Sequence, residues 1–252
     1  MDSHVRKIST KIWIPVIKNL EKKMDAACLR RDAYLNKVLE TELDYLEEEV
    51  ALSNSPAAQA FIADRLDQLN RKVVSLSLKK DVVDRLNDIC TKKRIVRDAF
   101  FNRLFLILAS SQKMVDHLLF RGVDEDWRNR LWSEHKHDEE FFERGIYPLD
   151  GAAAPFWAFR AGIDLYNKEV ELRDHTNPET GNLIKVQFDL SGDVYLPDGI
   201  YTTSLGETEL KNTDLSGLNC YLPDWKIPGT TAELKIRNTL DDLLGDLGGD
   251  HV

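Results

Sequence analysis

The sequence predicts an α+β protein with a mainly helical N-terminal domain, built as a tandem strand–helix–helix repeat, and a mixed α+β C-terminal domain. Three observations carry this. Arg31 to Leu39 reads RDAYLNKVL and Arg97 to Phe105 reads RDAFFNRLF, with four of nine positions identical, the others exchanged like for like, and an offset of 66 residues. Self-similarity at a fixed period marks a repeated structural unit. Each copy follows a short stretch of alternating apolar and polar residues, and the chain beyond about residue 146 is cut into short runs by turn dipeptides.

In the first unit, residues 8–14 (ISTKIWI) place Thr10, Ile12 and Ile14 on one side and Ser9, Lys11 and Trp13 on the other. Period two is that of a half-buried strand. Pro15 ends it, and Val16, Ile17, Leu20, Met24 and Ala27 fall at helical spacing to about Leu29. Asp32 suits the N-cap of a second helix with Leu35, Val38, Leu39, Leu43 and Leu46 on one face. Ser55 as N-cap with Pro56 behind it opens a connecting helix to about Leu69.

The second unit repeats the order. Residues 72–78 turn Val74, Leu76 and Leu78 inward and Val73, Ser75 and Ser77 outward; a helix, the basic turn Lys92-Lys93-Arg94 and a helix from Asp98 to about Leu108 follow. The match extends through Val16/Val82, Ile17/Val83, Leu20/Leu86 and Met24/Cys90 at the same offset, and the apolar strand residues align at 64, as Ile12/Leu76 and Ile14/Leu78. That change predicts a small insertion within Lys79-Lys80-Asp81.

Charge divides the chain the same way. Residues 1–110 hold 20 Lys+Arg against 16 Asp+Glu, whereas 111–252 hold 14 against 27. A basic half joined to an acidic half points to nucleic-acid binding in the first and another task in the second. The polar opening from Met1 to Lys11 has no signal-peptide pattern and no apolar run is long enough for a membrane span, so the expectation is a cytoplasmic protein without membrane contact. Cys28, Cys90 and Cys220 stand singly and are expected reduced, the first two as helix-packing residues.

In residues 111–252, Met114 to Phe142 is expected to be mainly helical, LIKVQFDL and DVYLP to form a hairpin around Ser191-Gly192, and Ala232 to Leu247 to form an amphipathic helix with Asp241, Asp242 and Asp246. His135 and His137 lie about 200° apart on a helix and suit no shared metal. No catalytic motif occurs, so neither an enzyme nor a cofactor is expected.

Strand, helix, basic turn and helix, with RKVVSLSLKKDVVDRLNDIC as the clearest stretch, resembles the ribbon-helix-helix family of DNA-binding proteins over residues 5–110. The resemblance implies that strands 8–14 and 72–78 pair as an antiparallel ribbon within one chain, an intramolecular pseudo-dimer. It further implies that the ribbon enters the major groove of double-stranded DNA, with Ser9, Lys11, Trp13, Val73, Ser75 and Ser77 reading bases. Phosphate would be held at the second-helix starts, around Ala33 and Ala99, with Arg30, Arg31, Lys92, Lys93, Arg94 and Arg97 alongside. The aspartates at those starts depart from the usual small hydroxyl cap and oppose phosphate.

The implied function is a sequence-specific transcriptional regulator, expected to be a repressor, bacterial or phage-encoded and nucleoid-associated when bound. The acidic domain 111–252 would serve homo-oligomerisation, sensing of a small ligand, or a protein partner. Two alternatives stay open: an antitoxin-like interaction protein whose acidic half binds a partner, and an effector domain tethered to DNA.

Overall fold

The computed structural model describes residues 4–120, 125–126, 128–129, 156, 160, 199–206 and 210–247. The two alternating stretches pair. β1 (Val5–Trp13) and β2 (Arg71–Lys79) form a two-stranded antiparallel ribbon with Ser9 opposite Ser75 at its middle. Ile8, Thr10 and Ile12 of β1 and Val74, Leu76 and Leu78 of β2 are buried on one face, as period-two alternation requires.

Each strand runs directly into a helix: β1 into α1 (Ile14–Ala26) and β2 into α4 (Lys80–Lys93). Pro15 therefore opens a helix rather than closing a strand, because a proline in the first turn gives up an N–H that has no partner there. Ile14 is thus a helical residue, half-buried, and not an inward strand residue.

The turns after α1 and α4 are the same turn. Cys28 (φ 55°) and Arg94 (φ 51°) take the left-handed conformation, and the next N–H closes back across each, Leu29 to Met24 O and Ile95 to Cys90 O, both at 2.9 Å. This 6→1 bond terminates a helix as in a Schellman motif. It is made by non-glycine residues at a cost of roughly 1 kcal/mol each. α2 (Arg31–Glu49) and α5 (Arg97–Ala109) follow.

Strand starts, strand ends, turn residues and second-helix starts all correspond at 66 residues, so the predicted insertion within Lys79-Lys80-Asp81 is absent. The apparent offset of 64 came from aligning apolar residues. The true partners of Ile8, Thr10 and Ile12 are Val74, Leu76 and Leu78, and the polar Thr10 hid the register.

α3 (Pro56–Asp67) joins the copies and is capped by Ser55, whose Oγ accepts the Ala58 N–H at 3.0 Å. α6 (Gln112–Leu119) follows, and α7 (Thr231–Leu247) lies far along the chain. The hairpin expected at 183–197 and the His135/His137 segment lie outside the described residues.

One buried cluster contains both halves. Phe156, Ile200, Tyr201, Leu205, Leu215, Leu218, Cys220 and Leu222 pack with the residues of the two copies. Gly217 meets α3 so closely that a Cβ there would stand 2.6 Å from the Leu66 nitrogen. Asn54, buried in the α2–α3 loop, donates from Nδ2 to Arg94 O (3.1 Å) and Cys220 O (2.8 Å) and accepts from the Leu222 N–H (3.1 Å).

Charged side chains join the halves as well. Arg160 makes a bidentate pair with Glu42 (3.1 and 3.0 Å) and donates from Nε to Glu49 at 2.7 Å, with its guanidinium 3.5 Å from the centre of the Tyr45 ring. The Tyr201 hydroxyl donates to Glu42 at 2.8 Å. Burial raises the Glu42 carboxyl above its ordinary range, against the pull of Arg160. Burial also pushes the Cys90 and Cys220 thiols up to about 12, which keeps both protonated. Cys28 does not pack as expected: it sits exposed at the left-handed turn position.

Candidate nucleic-acid interface

A two-stranded ribbon has two outer edges of unpaired backbone groups, and each must be satisfied or wetted. Here the repeated motif closes them. Arg31 of α2 donates to Ser75 O at 2.7 Å, Asp32 Oδ2 accepts the Ser77 N–H at 2.8 Å, and Asn36 both donates to Ser77 O (3.2 Å) and accepts the Lys79 N–H (2.7 Å). On the other edge Arg97 donates to Ser9 O at 3.0 Å, Asp98 Oδ2 accepts the Lys11 N–H at 3.3 Å, and Asn102 donates to Lys11 O (2.8 Å) and accepts the Trp13 N–H (2.7 Å).

Every partner in the second set is 66 residues from its counterpart in the first. The helix of each copy clasps the strand of the other. Asp32 and Asp98 are therefore not N-caps, which are Arg30 and Val96 without side-chain capping bonds; they are second helical residues bonded to the ribbon. Asp32 also accepts Arg31 Nε at 2.9 Å, and Asp98 also accepts the Thr10 hydroxyl at 2.7 Å with Arg71 at 3.7 Å. Their charge is met within the fold.

With the edges closed, the ribbon presents one free face. Because Ser9 O and Ser75 O point outward along the edges, the Ser9/Ser75 pair is of the non-hydrogen-bonded kind, in which facing side chains stand closest. Ser9, Lys11, Val73 and Ser75 are exposed there, on the outward side that the alternation predicts, and Ser77 is half-buried. Lys7, opposite Ser77, and Lys79 belong to the same row, and both lay outside the shorter strands expected from the sequence. The strands together contain Arg6, Lys7, Lys11, Arg71, Lys72 and Lys79 and no Asp or Glu.

Trp13 is not on that face. It is buried at the strand end, where the backbone turns into α1, and it lines a cavity with Pro15, Val16, Leu106 and Met114.

The positions expected at phosphate divide. Arg30 and Ala33 are exposed at the start of α2, and Lys92 and Arg94 at the second turn. Lys93 is buried, with its ammonium donating to Glu47 O and Val50 O at the end of α2, so it closes a helix terminus rather than facing solvent. Desolvation lowers its pKa. Ala99 is fully buried with its N–H bonded to Val96 O at 2.8 Å, so that donor is occupied. Arg31 and Arg97 hold strand carbonyls.

Sequence reading missed Asn36 and Asn102. Their signal was present as the fourth identity of the repeat, RDAxxN, but an asparagine inside a helix carries no local sign of a partner on a distant strand.

Among the described residues no group of three or more His, Cys, Asp and Glu is placed to hold a metal ion, and no helix is long and apolar enough to cross a membrane. Fold and site together define an α+β chain with a duplicated strand–helix–helix unit and a basic two-stranded ribbon. Comparisons with protein-family models, with curated proteins and with solved structures found no match.

Proposed function

We propose that the protein is a sequence-specific DNA-binding regulator of ribbon-helix-helix type, with both halves of the usual dimer in one chain. The ribbon enters the major groove, whose width admits two strands. Lys7 and Lys11 suit guanine O6 and N7, Ser9, Ser75 and Ser77 suit either donor or acceptor edges, and Val73 suits a thymine methyl. The two strands differ in sequence, so the two halves of the recognised site differ too. Phe156, Arg160, Tyr201 and the residues from Leu215 to Leu222 brace the module, and repression is the simplest outcome of occupying a promoter.

The observation that carries this reading is the free ribbon face, where Lys7, Lys11 and Lys79 are exposed and neither strand holds an acidic residue, with the edges clasped from Ser9 to Trp13 and from Ser75 to Lys79. The inward bonding of Asp32 and Asp98 removes the main objection from their charge.

Binding to random-sequence duplex, followed by anisotropy across a salt series, tests it. Lys7→Ala with Lys11→Ala is expected to weaken binding and, where both contact phosphate, to flatten the log–log salt slope by about 0.9 per lost contact. Ser75→Ala with Ser77→Ala should alter the sequences selected from a random pool. Absence of salt-sensitive binding, or variants with unchanged affinity and preference, would sink the reading.

A further inference from the structure

We propose that the cavity at the end of β1, between α1, α5, α6 and the turn at Leu210–Thr213, is a binding site for a small aromatic carboxylate. The inference stands apart from DNA binding, because it concerns a different surface and is measured without DNA.

The cavity has a volume of about 420 Å³, within the range of small-molecule sites. Its walls are largely apolar: Val16 from α1, Leu106 and Ala109 from α5, Met114 from α6, and Leu210, with the Trp13 indole beside them. A flat ring suits this lining, since indole and a methionine sulfur both gain from aromatic contact. Trp13 is only 9% exposed, yet its indole N–H donates to no protein group among the described residues. A buried indole N–H ordinarily finds an acceptor.

The other copy of the repeat shows what the cavity stands in place of. α4 packs on α2 as α1 packs on α5. The positions equivalent to Trp13 and Leu106 are Lys79 and Glu40, which form an ion pair, and those equivalent to Asn19 and Ser110 are Arg85 and Asp44, paired at 2.6 Å. There the chain's own charges bridge the two helices. Around the cavity an aromatic, an aliphatic and two small neutral side chains stand instead.

One cation remains without an anion. Among the described residues the lining holds no Asp or Glu, and its single charge is that of Lys211, exposed and without an ion-pair partner. Lys211 and Asn212 hold φ of 49° and 61° in the tight turn closed by the Thr213 N–H on Leu210 O at 2.9 Å. Such a conformation favours Asn or Gly, so the lysine stands there against backbone preference, as residues of ligand clamps often do. A carboxylate on a flat apolar body meets both halves of the site, with its ring against Trp13 and Met114 and its anion toward Lys211 and Asn19.

Isothermal titration calorimetry of the full chain with naphthalene-2-carboxylate tests the site. Saturable, equimolar binding is expected, with neutral naphthalene-2-carboxamide weaker and 2-naphthylmethylammonium weaker still. Lys211→Gln should weaken the carboxylate about threefold to fivefold, the worth of an exposed ion pair, and leave the carboxamide unchanged. Ala109→Phe occupies the cavity and should weaken both about tenfold or more. Circular dichroism and melting temperature report whether each variant folds, and Lys211→Gln, at an exposed position, decides the matter should Ala109→Phe unfold. No saturable binding at millimolar carboxylate, an ammonium that binds as tightly as the carboxylate, a carboxylate affinity indifferent to Lys211→Gln, or a folded Ala109→Phe chain with unchanged affinity would each overturn the proposal.

Discussion

The two copies of the repeat do one job in opposite surroundings. Arg31, Asp32 and Asn36 clasp one strand from a helix that is partly open to solvent, and Arg97, Asp98 and Asn102 clasp the other from a helix buried from Ala99 to Leu108. The clearest contrast is at equivalent positions Lys37 and Arg103. Lys37 is a surface side chain 3.9 Å from Glu40; Arg103 is fully buried and donates to Ile200 O, Thr203 O (2.7 Å) and Asn219 Oδ1 (3.4 Å). Ala33 and Ala99 differ in the same sense. The edge-clasping residues are the same in both copies because four backbone groups on each strand depend on them. Everything else on the helix was free to change, and α5 changed to seat the C-terminal residues.

That contrast is broken most strongly at Arg103. Arg103→Met leaves several buried acceptors without a donor and should cost about 3 kcal/mol or more, since each unsatisfied buried group costs roughly 1–3. Lys37→Met should stay within about 0.5 kcal/mol. Urea unfolding of both variants measures the difference, and equal losses would mean that the copies are more alike than their burial indicates.

Asn102→Ala and Asn36→Ala sharpen the shared part. Each strips one strand of partners for an N–H and a C=O, so each should cost about 1–3 kcal/mol, with Asn102 the larger because it is fully buried. Amide exchange should rise selectively at Trp13 in the first variant and at Lys79 in the second.

The smallest effect concerns the charged contact on α2, which has no counterpart on α5 because position 108 is leucine. Glu42 is raised above its ordinary 4.5, so between that value and its raised pKa the folded chain holds more proton than the unfolded one. Stability measured against Glu42→Gln should therefore be full below 4.5 and decline as pH rises through the raised pKa. A rise over that interval would show that Arg160 outweighs burial. Tyr201→Phe removes one bond to Glu42 and should cost about 1 kcal/mol.

Much of this was legible in the chain. Period-two stretches gave both strands, the RDA repeat gave the duplicated helices, and Ser55-Pro56 gave the connecting helix. Register was misread because Thr10 occupies an inward position, its hydroxyl paid for by Asp98, so apolar residues alone aligned wrongly. Asp32 and Asp98 looked like caps because capping is a local property, whereas their partners are 45 and 87 residues away along the chain. Trp13 alternated outward by count and was turned inward by the immediate start of α1. For the same reason Lys93 looked like part of a basic patch: only the folded chain brings the end of α2 beneath its ammonium.

The proposed DNA binding rests on the ribbon face as the surface that meets bases. Photocrosslinking from single positions tests it most directly: a photoreactive side chain at Ser75 in the ribbon centre, against one at the exposed Asp88 of α4, each with duplex of mixed sequence. The account predicts crosslinks to bases from position 75 that high salt abolishes, and none from position 88. Crosslinks from position 88 alone, or from neither position under low salt, would contradict it.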